Sequence, residues 1–308
     1  MKPSYNGTCV GLCFCALILS LSACGASQAP PIQSVVTPPL PAQQLQMHSS
    51  RLLAYLSEEN ANRISVFRLN GRRIAAITDD VNYPQGLFAD AHGTLYVANR
   101  GSNDVLEFKT GSDSPFRTLH DGNNQPEDVA VCPNGNVYVA NILNGSGGGG
   151  NVTVYPQRSR KPAETLTYDG AEFFFLTCSL NGNVFATAVL GTTGTVIEFF
   201  GGQQSGAAQL PIYYPGNPAG IVAESNGDLL VAGQGSGVEE FTESGQPTGL
   251  QIQTSGLLGI ALSPDGTLLL GASDGGGTQY SFPSGMFERN YHAHGLNIGA
   301  AFGVDGPN

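Results

Sequence analysis

A chain of 308 residues with 13 Lys and Arg against 24 Asp and Glu carries a formal net charge of -11. That balance excludes the clustered cations that nucleic-acid phosphates demand. Its 42 glycines are spread through a sequence that is 41% hydrophobic, which excludes collagen and wholesale disorder and favours turn-rich β structure.

The amino terminus reads as a targeting segment. Lys2 precedes an apolar run from Val10 to Leu21, and Leu21-Ser22-Ala23-Cys24 follows. The run falls short of the roughly 20 residues a membrane-spanning helix needs, so residues 1–23 are expected to be a signal peptide. Leu-Ser-Ala-Cys resembles the bacterial lipobox, and the resemblance implies cleavage before Cys24 and lipidation of its thiol. Residues 24–50 hold Pro30, Pro31, Pro38, Pro39 and Pro41 among Gln, Ser and Ala, a composition expected to form a disordered, semi-rigid tether. The resulting address is the cell envelope, lipid-anchored and extracytoplasmic. Gly25 after the lipidated cysteine resembles the outer-membrane sorting pattern of a Gram-negative cell.

From residue 51 to 308 one unit recurs. Gly86-Leu-Phe-Ala-Asp-Ala-His-Gly93-Thr-Leu-Tyr-Val-Ala-Asn99 is answered by Asp128-Val-Ala-Val-Cys-Pro-Asn-Gly135-Asn-Val-Tyr-Val-Ala-Asn141, and three more copies centre on Gly182, Gly227 and Gly266. Steps of 42, 47, 45 and 39 residues separate these glycines, and 40 more reach Gly306. Repeats of roughly 40–45 residues with several strands each are the signature of propeller blades. Each glycine closes a two-stranded turn at positive φ. A third strand follows at Asp104–Phe108, Val152–Tyr155, Thr195–Phe199 and Gly237–Phe241.

The two ends are complementary. Asn297 to Gly306 repeats a first strand and turn without a second strand, whereas Arg51–Ser57 and Arg63–Phe67 read as second and third strands without a first. The expectation is an all-β, six-bladed β-propeller in which the carboxyl-terminal strand completes the first blade, removing an exposed sheet edge.

Units of this form resemble the NHL-repeat and related six-bladed propellers, including bacterial lipoproteins and the gluconolactonase and strictosidine synthase-like groups, over residues 51 to 308. In gluconolactonase-like propellers a divalent cation such as calcium sits at the channel mouth. Here the resemblance places that mouth at Asn82, Tyr83, Arg100, Asn103, Asp104, Glu127, Asp128, Asn141, Glu172, Asn217 and Asn297. The family's opening Glu-Gly-Pro has no counterpart at Leu52–Ser57, and Gly233 and Ala272 stand where the earlier blades have Asn99 and Asn141. No metal or other cofactor is therefore expected.

Other constellations weigh less. Cys132 and Cys178 lie three and four residues before their turn glycines in consecutive blades; the offset turns them toward facing sheet surfaces, consistent with a disulfide or with two buried thiols. Gly145-Ser-Gly-Gly-Gly-Gly150 satisfies the dinucleotide pattern but leads into a strand, so it reads as a hairpin loop. His292 and His294 form an H-x-H pair without a third zinc ligand. Phe173–Phe175 reads as inner-strand core, and Tyr213 and Tyr214 as mouth aromatics. No G-x-S-x-G elbow is present. The functional expectation is a noncatalytic, membrane-tethered propeller binding a protein, peptide or glycan at its mouth, with a metal-dependent lactonase or related hydrolase as the alternative.

Overall fold

The computed structural model describes residues 52–305 except Gln234. The expected signal segment, Cys24, the Pro-rich stretch and Gly306 lie outside the described residues.

Short runs rich in Val, Leu, Phe and Tyr, punctuated by Gly and Asn, form strands because branched and aromatic side chains fit a pleated surface packed on both faces. The turns between them are set locally. At Cys132-Pro-Asn-Gly135 the glycine takes φ +79° and its N–H donates to the Cys132 carbonyl at 2.8 Å. Gly93, Gly182, Gly227 and Gly266 take the same left-handed conformation.

The strands make six antiparallel sheets, five of four strands and one of three, and the architecture is a six-bladed β-propeller. In the first blade the order is Ala300–Val304, Leu52–Glu58, Arg63–Arg68 and Arg73–Ile77. Its innermost pair runs in register from Leu52 opposite Val304 to Leu56 opposite Ala300. The second blade comprises Pro84–Ala89, Thr94–Asn99, Asp104–Lys109 and Arg117–His120. Gln125–Val131, Val137–Leu143, Asn151–Tyr155 and Glu164–Leu166 form the third. The fourth holds Ala171–Cys178, Val184–Leu190, Thr193–Phe199 and Ala207–Pro215, and the fifth Pro218–Ala223, Leu229–Gly233, Gly237–Phe241 and Pro247–Ile252.

The sixth blade is built from Ile260–Leu262, Leu268–Ser281 and Phe287–Leu296. Its long middle strand bends at Gly275 and Gly276, with φ +82° and +145°. The half before the bend pairs with the innermost strand and the half after it with the outermost.

One buried apolar cluster lies between each neighbouring pair of blades. Phe173 and Phe199 of the fourth blade meet Tyr138 and Val152 of the third, and Leu270 and Tyr291 of the sixth meet Ala54 and Phe67 of the first. A lone blade would leave these faces wet; at roughly 1.5–3 kcal/mol for each large side chain fully buried, stacking supplies most of the stabilisation.

At the axis the blades approach too closely for side chains. A Cβ on Gly259 would stand 2.3 Å from the Ile298 carbonyl oxygen, and one on Gly299 2.3 Å from that of Gln85. The third blade breaks the pattern with Asp128, whose carboxylate lies against Gly86 and accepts the Leu176 N–H at 3.0 Å. All six innermost strands line the channel, and its cavity is about 110 Å³.

Candidate functional site

Innermost strands begin, and second strands end, on one face of the ring, called here the upper face; the hairpin glycines mark the lower. On the upper face a polar cluster spans the first three blades. Glu59 opens the single 3-10 turn after the second strand of the first blade and is buried. The amide of Gln85, itself fully buried, donates to Glu59 Oε1 at 3.0 Å, while its own Oε1 has no partner.

Arg100, at the end of the second strand of the second blade, reaches across to the third. It donates to Glu127 Oε2 and to Gln125 Oε1, each at 3.1 Å. Tyr83 stands beside them, half exposed and held at φ +54°. The conformation is stabilised because the Tyr83 N–H is taken by Asn62 Oδ1 at 2.8 Å.

Burial decides the electrostatics here. It pushes Glu127 up to about 7; Arg100 opposes the shift and Glu59 adds to it. Burial lifts the Asp128 carboxyl further, to about 8, against the lowering effect of the Leu176 and Val129 N–H groups. The hydrogen bond to Glu59 raises the Tyr83 phenol, with burial second. At neutral pH the channel entrance thus holds one protonated and one half-titrating carboxyl beside a fixed guanidinium.

The structure brings Tyr83, Arg100, Glu127 and Asp128 together, with Asn82 against the turn that carries Arg100. Asn141 is fully buried and directed into its own blade, donating to Asn151 Oδ1 at 2.8 Å and Thr153 Oγ1 at 3.2 Å. Asp104 accepts from Asn99 at 2.8 Å in the equivalent position of the second blade. Asn297 is fully buried and donates to the Gly295 carbonyl at 2.7 Å. Asn82 and Asn217 are exposed and Glu172 half-buried; the Asn82 amide donates to Ser102 Oγ at 3.3 Å.

Tyr213 is 63% exposed but Tyr214 only 6%, packed with Ile212 and Phe175 between the fourth and fifth blades. His292 and His294 point to solvent from the outermost strand of the sixth blade, where the His294 N–H donates to Glu58 at 3.2 Å. The Gly145–Gly150 segment is a connector in which Gly150 donates its N–H to the Ala171 carbonyl at 2.6 Å.

The carboxylates of Asp104, Glu127 and Asp128, which the resemblance offers to a divalent cation, are engaged with other partners. Asp104 accepts from Asn99, Glu127 from Arg100 and Asp128 from a backbone N–H, whereas Asn141 Oδ1 and Asn297 Oδ1 are buried without a hydrogen-bond partner among the described residues. Among the described residues no three or more His, Cys, Asp or Glu side chains are grouped to hold a metal ion.

On the lower face Cys132 and Cys178 are joined as a disulfide with Cα atoms 5.3 Å apart, tying the innermost strands of the third and fourth blades. Sequence reasoning missed Glu59, Gln85 and Gln125. Glu59 opens the first-blade turn equivalent to the one Arg100 opens in the second, a correspondence that could have pointed to it, and the two glutamines carry no signal until the ring sets them beside charged neighbours.

No family model matches the chain, and no curated protein matches it. Among solved structures, a chain from a nidogen/laminin complex is similar over 83% of this chain and 100% of that one, with a TM-score of 0.67 at 12% identity. A likeness at that identity is one of fold, and it places the protein in the class of six-bladed β-propellers.

Proposed function

We propose that the chain is a membrane-anchored, extracytoplasmic propeller that binds a protein, peptide or glycan without catalysis, at the upper mouth formed by Tyr83, Arg100, Gln125 and Glu127. The observation that carries this reading is the contrast between a packed channel and a polar, charged entrance. A cavity of about 110 Å³ is well below the roughly 300 Å³ of a typical small-molecule pocket. Recognition therefore falls to the open face, where a tyrosine, a guanidinium and amides supply contacts suited to peptide backbone or sugar hydroxyls. The similar propeller comes from a protein–protein complex, which supports the same use of the scaffold.

The lipobox resemblance supports anchoring through Cys24. The described chain begins at Leu52 on the lower face, so a tether attached there would turn the upper mouth away from the membrane. Pairing of the two chain ends would close the ring and hold the mouth rigid. The NHL-like repeat accords with this reading, whereas the lactonase alternative asks for carboxylates free to hold a cation, and those of Asp104, Glu127 and Asp128 are engaged with Asn99, Arg100 and a backbone N–H.

The test is binding of the purified protein to peptide and glycan arrays, with Tyr83→Ala plus Arg100→Ala as the control. Ligands lost in the double variant support the mouth; saturable binding that survives it, or steady turnover of lactones by the wild type, contradicts it. For the anchor, Cys24→Ala should move the chain from the membrane to the soluble fraction, and retention in the membrane would remove that part of the proposal.

A further inference from the structure

Beside the lower end of the channel lies a second cavity of about 450 Å³, four times the channel's own and within the range that accommodates an organic ligand. Three consecutive hairpin tips enclose it, from the fourth, fifth and sixth blades. Leu180, Val222, Leu262 and Pro264 supply an apolar wall; Glu224 and Asp265 supply carboxylates. Val222 and Leu262 also line the channel, so the two spaces are neighbours.

The charge around this cavity is of one sign. Between residues 162 and 288 the chain holds 12 Asp and Glu and no Lys, Arg or His, and the cations the enclosing blades do carry, Arg289, His292 and His294, stand on the outermost strand of the sixth blade and do not line the cavity. Asp265 is a fixed anion: burial would raise its carboxyl, but donors from Ser263 and Thr267 outweigh this and hold it below the usual range. Leu180 at the rim is 69% exposed, an apolar surface with nothing over it. Burial and the adjoining Glu240 raise Glu224 to about 7, so at neutral pH Asp265 is the standing charge and Glu224 ionises readily beside an arriving cation. A low-dielectric wall next to these carboxyls focuses potential and concentrates cations, while the wall itself rewards burial of a hydrocarbon stem.

From this combination we infer that the lower cavity is a binding site for an organic cation, a primary ammonium or guanidinium carried on an apolar stem. The cavity makes it a site, and the sign of its surroundings selects the ligand. It lies at the opposite end of the channel from the upper mouth and does not depend on the function proposed for that mouth.

The probes are n-pentylamine, with n-pentanol and pentanoate of matched stem, titrated into the full chain by calorimetry or by NMR. Pentylammonium is expected to saturate one site and to bind at least about tenfold more tightly than pentanol, a difference of about 1.4 kcal/mol; pentanoate should not compete. A blocked Ala-Lys-Ala peptide forms the second arm. Tighter binding of the peptide than of pentylamine assigns the cation to a lysine side chain, and the reverse assigns it to a free amine.

Glu224→Gln should weaken pentylamine severalfold, and Ser225→Lys, at an exposed tip, should abolish binding by placing a cation in the cavity. Asp169→Asn removes the same charge from the same half at an exposed site outside the cavity lining and should leave affinity within about twofold. Equal affinity for pentylamine and pentanol, unchanged binding in Ser225→Lys, or no saturable site would overturn the inference.

Discussion

The first three blades and the last three share one architecture and treat charge in opposite ways. From Leu52 to Leu166 the first three blades hold 10 Lys and Arg against 12 Asp and Glu, whereas from Ala171 to Leu296 the last three hold one, Arg289, against 10. Every ion pair among the described residues takes its cation from the first group, from Arg63 with Glu58 to Arg117 with Glu107. One half therefore holds its mouth together with paired charge and the other leaves its charge available. A repeat protein can do this because each blade's stability comes from its neighbours' apolar faces, leaving the polar rims free to diverge.

If the second half depends on apolar packing, adjacent tyrosines should differ sharply. Tyr214→Ala should cost about 3–5 kcal/mol, as for other large aromatic truncations, and Tyr213→Ala under about 0.5 kcal/mol, measured by denaturant unfolding. Similar losses for the two would mean that the fourth blade's outer strand is not packed as described.

The seam between the halves comes next in size. The Cys132–Cys178 disulfide closes a separation of 46 residues, and its replacement by paired serines should cost about 2–4 kcal/mol. An unchanged midpoint under nonreducing conditions would show that the seam holds without it.

In the charged half, Arg100→Ala leaves Glu127 buried without its cation. The expected loss is about 1–2 kcal/mol, below the full penalty for a buried pair because the guanidinium is 27% exposed. It should also raise the Glu127 pKa further above about 7, observable by NMR titration. A lowered Glu127 pKa would contradict the pairing.

The remaining effect is a slope rather than a single loss. Asp128 and Glu127 ordinarily titrate near 3.8 and 4.5 and are raised to about 8 and about 7 in the fold. Between those values the native state holds more protons than the unfolded chain, so stability should fall as pH rises from about 5 to 8. Asp128→Asn should flatten the decline, and a slope of the opposite sign would refute the assignment.

Much of the fold was legible because the glycine-marked hairpin repeats with its apolar flanks, and a repeated local signal is hard to mistake. Gly93, Gly135, Gly182, Gly227 and Gly266 all adopt the turn conformation their sequence context demands. The sixth blade was less legible: Ser273-Asp274-Gly275-Gly276-Gly277 has the composition of a loop between strands, yet it runs within one continuous strand bent at its glycines.

The site was legible only in part. The Asn99 and Asn141 positions look like ligands in sequence, but their side chains satisfy buried partners inside their own blades. Tyr213 and Tyr214 read alike until strand alternation sends one outward and the other into the core. Glu59 and Gln85 gain meaning only from a contact between blades, which no local pattern encodes.

Native-state hydrogen exchange across the two chain ends tests the central claim most directly. If Ala300–Val304 is the innermost strand of the first blade, its hydrogen-bonded amides should be protected to the same extent as those of Thr94–Asn99, opening only with the whole ring. Exchange within minutes, as in a frayed terminus, would contradict a propeller whose first blade is completed from the carboxyl end.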